Sequence, residues 1–192
     1  TLWNEDGVEY RELDPKHSKL GAALARGCQQ FGIKEGDTVL YLGASHGYTP
    51  SFMSDMLGEK GVLYCLDVAP RVVRDLVFVC EASKNMVPIL ANASQPQSYA
   101  DRITGADAIF QDIAQRQQVE IFLKNVELYL KPGGFGMLAV KARSIDVTKR
   151  PQDILYMIVY KIQNITPVYV AALGLLLLEN YLIYLTPVLP HN

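Results

Sequence analysis

Three cysteines in 192 residues leave little room for disulfide or metal chemistry. Cys28, Cys65 and Cys80 are odd in number, share no C-x-x-C spacing and fall inside apolar stretches, so they are expected as small core residues in a reducing compartment. The three histidines are scattered, and no metal site is expected. An excess of positive charge is also missing: the formal net charge is −2, which excludes a chain that grips nucleic acid over its whole surface. Such a partner would have to be held by local patches or through another protein. There is no low-complexity tract and no internal repeat, and 49% hydrophobic against 20% charged residues is not the composition of a disordered chain. The opening TLWNEDGVEYRELD is polar and acidic rather than an apolar leader, so a cytoplasmic protein is expected. The one long apolar stretch, residues 168–190, is interrupted by Glu179-Asn180 and carries Pro187 and Pro190 at its end. Its unbroken part falls short of the ~20 residues a helical span needs. Two buried strands joined at Glu179-Asn180 are expected there, and no membrane partner.

What is present is alternation. A chain of 192 residues is long enough for one domain with a real core and short for two. Residues 1–14 read as an acidic hairpin with Asp6-Gly7 as its turn. Ser18 is placed to cap a helix from Lys19 to about Gln30, with Leu20, Ala23 and Leu24 on one face. From Thr38 the pattern predicts strands 38–42, 62–67, 87–91, 107–112 and 135–142. Helices 50–57, 70–84, a short one near 96–102 and 115–130 are expected between them. Pro132-Gly133-Gly134 is expected as a turn before the last of these strands; a helix near Pro151 and the two apolar strands close the chain. Parallel strands need crossover connections, so the prediction is an α/β fold: doubly wound, a mostly parallel seven-stranded sheet covered on both faces, with an antiparallel C-terminal hairpin. Ligands on such sheets lie outside the carboxyl ends of the strands near the topological switch.

Five strand tips therefore matter. At the first, VLYLGASHGYTP, Gly43 and Gly47 remove side chains where a ligand can pass, and Thr49 offers a hydroxyl at a helix start. The spacing is neither G-x-G-x-x-G nor a P-loop, and taken alone the loop is also simply a turn. Asp67, ending the next strand, can accept hydrogen bonds from ribose hydroxyls, and the two tips together have the layout of a nucleoside cofactor site. Arg71 and Arg74 beyond it suit a solvated face or a phosphate contact. At the third tip, Asn92 suits either an adenine edge or an ordinary turn. At the fourth, Asp112 can face a reacting centre or cap a helix opened by Gln115. At the fifth, Lys141 ends a strand that is otherwise apolar, where an unpaired ammonium costs several kcal/mol. Asp112 is its expected partner, as a site or as a structural ion pair.

Several runs resemble the fibrillarin family. They are EYRELDPKHSKLGAAL, VLYLGASHGYTPSFMSDMLGEKGVLYCLDVAPR, NMVPILANAS and DIAQRQQVEIFLKNVELYLKPGGFGMLAVKARSIDVTK, together covering residues 9 to about 153. Without a glycine-arginine-rich tail, the chain resembles the archaeal type. The resemblance implies a Rossmann-like class I methyltransferase fold over residues 1–192, with residues 1–14 as a remnant of the family's N-terminal β region. It also implies S-adenosylmethionine-dependent 2′-O-methylation of ribose in rRNA, and in tRNA, guided by box C/D RNA. A guide RNA, a target RNA, a Nop-type scaffold protein and a kink-turn-binding protein are the implied partners, with no DNA among them.

The resemblance places Gly43, Ala44 and Thr49 around the methionine part of the cofactor, Asp67 at its ribose, Asn92 at the adenine, and Asp112 and Gln115 near the sulfonium. Gly47, Val68 and Ala93 are expected among the cofactor-binding residues as well. The family's Lys-Asp-Lys-His set around the target ribose is matched by Lys19, Asp112 and Lys141. Two departures stand out. Asn92 replaces the family's usual Asp, which predicts weaker cofactor binding. Asn180 and Tyr181 stand where the family's Asp and His are expected, in a part of the chain where the resemblance fades. The alternative function is therefore a catalytically weakened or inactive structural subunit of the same particle. Basic residues Lys16, Lys19, Arg143, Lys149 and Arg150 are candidate RNA contacts, each also suited to plain solvent exposure.

Overall fold

The segment TVLYL is apolar at every position but the first, and the fold uses both of its sides. In the computed structural model, which describes residues 2–28, 32–165, 168–175 and 180–187, Val39 and Tyr41 face one hydrophobic cluster while Leu40 and Leu42 face another. A strand buried on both faces belongs in the middle of a parallel sheet. The elements are β1 (Leu2–Glu5), β2 (Val8–Arg11), α1 (Lys19–Ala25), β3 (Thr38–Leu42), α2 (Tyr48–Leu57), β4 (Val62–Asp67), α3 (Pro70–Ala82) and β5 (Met86–Leu90). After a 3-10 turn at Pro96–Tyr99 come β6 (Ala106–Gln111), α4 (Gln118–Tyr129), β7 (Leu130–Lys141), α5 (Ala142–Ile145), α6 (Pro151–Ile165), β8 (Val168–Leu175) and β9 (Asn180–Pro187).

The main sheet has the order β5-β4-β3-β6-β7-β9-β8. The first five strands are parallel; β9 runs antiparallel to β7 and to β8, which is the expected hairpin. Strand order reverses at β3, which pairs with β4 on one side and β6 on the other. The crevice beside that switch, above the carboxyl ends, is where a ligand fits on such a sheet. One face is packed by α1, α2 and α3 through Leu20, Met53, Leu57 and Leu76, and the other by α4 and α6 through Phe122, Ile154 and Ile162. Fully burying each such side chain is worth about 1.5–3 kcal/mol. Among the described residues, no helix is long and apolar enough to cross a membrane.

The first hairpin has the expected Asp6-Gly7 turn, with positive φ at both residues (51° and 80°), and stacks Trp3 on Tyr10 at 5.6 Å. It forms a two-stranded sheet of its own. Three expectations need correction. Helix α1 ends at Ala25 because Gly27, at φ +82°, takes the left-handed stop: its N–H bonds Leu24 O at 2.9 Å and Cys28 N bonds Ala23 O at 3.0 Å. Gln29 and Gln30 lie outside the described residues. Pro132-Gly133-Gly134 is not a turn before a strand but a bulge inside β7. The register jumps from Ala106↔Leu130 to Ala108↔Phe135, so residues 131–134 stand opposite Asp107 alone. Helix α4 begins at Gln118, leaving Gln115 in the loop before it. The C-terminal strands match the expected pair, while the expected turn at Glu179 and the stretch after Pro187 lie outside the described residues.

Candidate active site

The loop after β3 is shaped by close approach. Gly43 has φ +85°, and a Cβ there would lie 2.7 Å from the backbone oxygen of Asp112 on the neighbouring strand end. Only glycine allows both the conformation and the contact. The N–H groups of Gly43 and Ala44 both donate to Leu66 O, at 2.9 and 3.0 Å, which folds the loop over the end of β4. Ser45, itself at φ 51°, then donates its N–H to Asp67 Oδ2 at 2.9 Å, and Ala69 N donates to Asp67 Oδ1 at 3.1 Å. Both carboxylate oxygens are thus fixed by backbone, and each keeps a lone pair to offer a ligand.

Beside this loop is a cavity of about 300 Å³. Gly43, Ser45 and Asp67-Val68 form one wall, Ala91-Asn92-Ala93 a second, and Asp112 to Gln115 with Lys141 the third. Its size lies at the lower end of the range small-molecule sites occupy. Asn92 is partly committed: its Oδ1 accepts from Ser94 N at 3.0 Å, closing a local turn. Asn92 therefore makes the expected turn and at the same time lines the cavity.

At the mouth of the third wall, Asp112 is held between two lysines. Lys19 Nζ donates to its two carboxylate oxygens at 2.9 and 2.7 Å, and Lys141 Nζ lies 2.9 Å from Oδ1. The side chains are only 18–26% exposed, so the pairs are less screened than surface ion pairs. The expected Lys141–Asp112 pair forms, joined by a lysine from far away in sequence. Lys19 arrives there as the first residue of a helix capped by Ser18, whose Oγ accepts from Gly21 N at 3.2 Å. Thr49 in turn donates to Ser18 Oγ at 3.3 Å. Behind them, burial pushes the Tyr41 phenol well above its ordinary pKa and the charge of Asp112 adds to this, against a hydrogen bond with Thr49. Tyr41 therefore stays a protonated, packed side chain. Beyond the third wall, β9 starts with Asn180 opposite Lys141, so its backbone begins at this same rim.

The structure brings Gly43, Asp67, Val68, Asn92, Ala93, Asp112, Gln115 and Lys141 to one cavity and joins Lys19 to it through Asp112. It does not bring Ala44, Gly47 or Thr49 to that cavity. Ala44 is 2% exposed in the core beneath it, and Thr49 sits behind Lys19. Gly47 is the left-handed residue that starts α2, and it lines a separate groove of about 1000 Å³ between the first hairpin and α2 and α3. Ala44 is turned into the core and Thr49 lies in the first turn of α2, and the sequence does not say which face each takes. Ser45, Ile113 and Ala114 line the cavity without having been singled out. For Ser45 a signal existed, since the residue after Gly-Ala on this loop is the one whose N–H can reach Asp67.

The fibrillarin family model matches residues 1–181. The fibrillarin-like rRNA/tRNA 2′-O-methyltransferase of Methanopyrus kandleri is 48% identical over 149 residues, 78% of this chain and 64% of that protein. That of Pyrococcus furiosus is 48% identical over 149 residues, 66% of its length, so the match spans just under two thirds of these relatives. Among solved structures, the fibrillarin pre-rRNA processing protein of Methanococcus jannaschii superposes with a TM-score of 0.92 at 36% identity, covering 97% of this chain and 81% of that one. Aeropyrum pernix fibrillarin, solved with natively bound S-adenosyl-L-methionine, gives 0.87 at 36% identity over 97% and 82%. A fibrillarin from a fibrillarin/Nop5p complex gives 0.88 at 30% identity over 96% and 87%.

Proposed function

Because this chain belongs to the fibrillarin family, we propose that it is an S-adenosylmethionine-dependent 2′-O-methyltransferase acting on ribose in rRNA and tRNA. It would work inside a box C/D particle with a guide RNA, a Nop-type protein and a kink-turn-binding protein. The observation that carries this reading is the Lys19–Asp112–Lys141 cluster at the mouth of the cavity walled by Gly43, Asp67 and Asn92. The residues present fit the cofactor. Gly43 lines the cavity without a side chain, Asp67 has lone pairs free for two ribose hydroxyls, and Asn92 with buried Ala93 offers a polar group beside an apolar one for a flat base. The catalytic roles assigned to Lys19, Asp112 and Lys141, and the binding roles of the cavity residues, are part of the proposal.

Bound there, S-adenosylmethionine would supply a methyl group on a positively charged sulfur that leaves as a neutral thioether. The chain's contribution is to orient and deprotonate the acceptor. A ribose 2′-hydroxyl within reach of Asp112 can pass its proton to Oδ1 or Oδ2 as the oxygen takes the methyl group. Lys19 and Lys141 fix that carboxylate in one orientation, and their ammonium groups favour the negative charge that builds on the ribose oxygen. Holding the reactants in near-attack geometry is the larger share of what such a site supplies. The target is selected by its partners, because the chain's own net charge of −2 gives little general attraction for RNA.

A reading as an inactive structural subunit draws on Asn92, a neutral amide whose oxygen already serves Ser94 N. Reconstitution with guide RNA and the two partner proteins decides between them. The enzyme reading predicts a cofactor-dependent 2′-O-methyl group at the guided ribose. An unmodified ribose, in particles where a control subunit modifies it, would leave the structural role.

A further inference from the structure

Two carboxamides on the inward face of α4 are fully buried. Gln118 and Asn125 are each 0% exposed and lie seven residues apart, two helical turns on the same face. Neither touches the cavity, yet each holds one of its walls. Gln118 Oε1 accepts from Lys141 N at 2.9 Å, while its Nε2 donates to Lys141 O at 3.2 Å and to Gln115 O at 2.9 Å. Asn125 Nδ2 donates to Ala93 O at 2.9 Å, and its Oδ1 accepts from Tyr99 OH at 2.5 Å.

Backbone accounting explains why Gln118 is needed. Strand β6 ends at Gln111 opposite Leu138, three residues short of Lys141. Beyond that point β7 has no β6 residue beside it, and a buried N–H or C=O left unpaired is costly. Gln118 fills the place with one side chain, which reads the N–H and C=O of the same residue as a neighbouring strand would. The backbone carbonyl of Gln118 in turn accepts from Gln111 Nε2 at 2.6 Å. Asn125 does the same for a loop with no regular structure: it ties down the carbonyl of Ala93, next to Asn92, against a stack of Tyr99 on Tyr129 at 5.5 Å.

We propose that Gln118 and Asn125 are positioning residues with separate duties: Gln118 sets Lys141 against Asp112 for methyl transfer, and Asn125 sets the Asn92–Ala93 wall for cofactor binding. The inference deepens the methyltransferase reading and rests on it. It predicts a crossed pattern that general loosening of the fold would not give. In the reconstituted particle, Gln118→Met lowers the single-turnover transfer rate at saturating cofactor about 10- to 100-fold, because small displacements near the chemistry have effects of that size. Its affinity for S-adenosylmethionine by calorimetry falls by no more than about threefold, since Gln115 loses one backbone anchor while the adenine wall keeps its own support. Asn125→Leu does the reverse, with Kd for S-adenosylmethionine raised about tenfold, as expected for leaving a buried carbonyl unpaired, and the saturated rate within about twofold. Amide hydrogen exchange adds a readout free of turnover: Lys141 N–H exchanges faster in Gln118→Met and as in wild type in Asn125→Leu.

Should Gln118→Met fail to fold, Gln118→Asn serves, as its amide is one methylene too short to reach Lys141 and is expected to give the same pattern. The inference is overturned if either variant moves rate and affinity together by similar factors, or if Gln118 variants leave both the rate and Lys141 exchange unchanged. A wild-type particle that binds cofactor but transfers no methyl group defeats the reading of the function instead. Lys141 exchange in Gln118→Met and cofactor affinity in Asn125→Leu then still decide the inference.

Discussion

Strands β6 and β7 carry a lysine–aspartate pair at each end, and the two pairs have different surroundings. At the amino end, Lys131 Nζ meets both oxygens of Asp107 at 2.8 and 2.9 Å, and Thr38 N donates to Asp107 at 2.9 Å. At the carboxyl end, Lys141 meets Asp112 at 2.9 Å. Length does not separate them. The amino-end pair is more exposed, 47% and 34% against 26% and 18%, and it closes on itself, with its carboxylate capping the start of β3. The carboxyl-end pair has a second lysine, a glycine pressed against its backbone, and a cavity beside it. An ion pair on neighbouring strands is thus no sign of a site by itself. What distinguishes a site is charge beyond pairwise balance, placed where the backbone leaves room.

Substitutions sharpen this contrast, beginning with the largest expected effect. Lys141→Met should lower guided methyl transfer about 10²-fold or more, with the fold kept, by freeing Asp112 from one of its two anchors. Single-turnover rates check it, and an unchanged rate would put the two ends of the strands on a par. Gly43→Ala should lower stability by about 2–3 kcal/mol and abolish measurable cofactor binding at ordinary concentrations, because it combines a left-handed conformation with a contact that cannot be relieved. Denaturant midpoints and calorimetry test the two halves separately. Asn92→Asp should tighten cofactor binding about tenfold, by turning a neutral acceptor into a charged one, and weaker binding would remove Asn92 from the adenine wall.

The smallest effect belongs to the amino end. Burial tends to raise the pKa of Asp107, but the Lys131 hydrogen bond and the Thr38 N–H outweigh it and hold the carboxyl below its ordinary value. A depressed folded-state pKa contributes stability above the unfolded-state value and loses it as pH falls through the folded one. Asp107→Asn should therefore cost about 1 kcal/mol or less at neutral pH, with the difference from wild type vanishing at acid pH, in urea titrations at several pH values. A difference that grew on acidification would contradict the assignment.

Much of this was readable from residue order alone. The alternation from Thr38 onward located β3 to β6 to within one residue, because both-face burial demands apolar runs and crossovers demand helices between them, whereas β7 begins five residues before its expected start. Asp67, Asn92, Asp112 and Lys141 were legible as polar residues ending apolar strands. Contacts made by side chains from behind were not legible. In QRQQ nothing separates Gln118, buried and holding Lys141, from its exposed neighbours, and Asn125 looks like an ordinary helix residue until Ala93 and Tyr99 stand beside it. The bulge at residues 131–134 was missed for a related reason: Pro-Gly-Gly signals a change of direction but not whether a partner strand continues past it.

The most direct test compares the two aspartates in one assay. Asp112→Asn and Asp107→Asn are each assembled into the guided particle, and methyl transfer is followed in a single turnover at saturating cofactor. The expected result is a loss of about 10²- to 10⁴-fold for Asp112→Asn and a rate within about twofold of wild type for Asp107→Asn. Equal rates for the two variants would contradict placing the chemistry at the carboxyl end of the sheet.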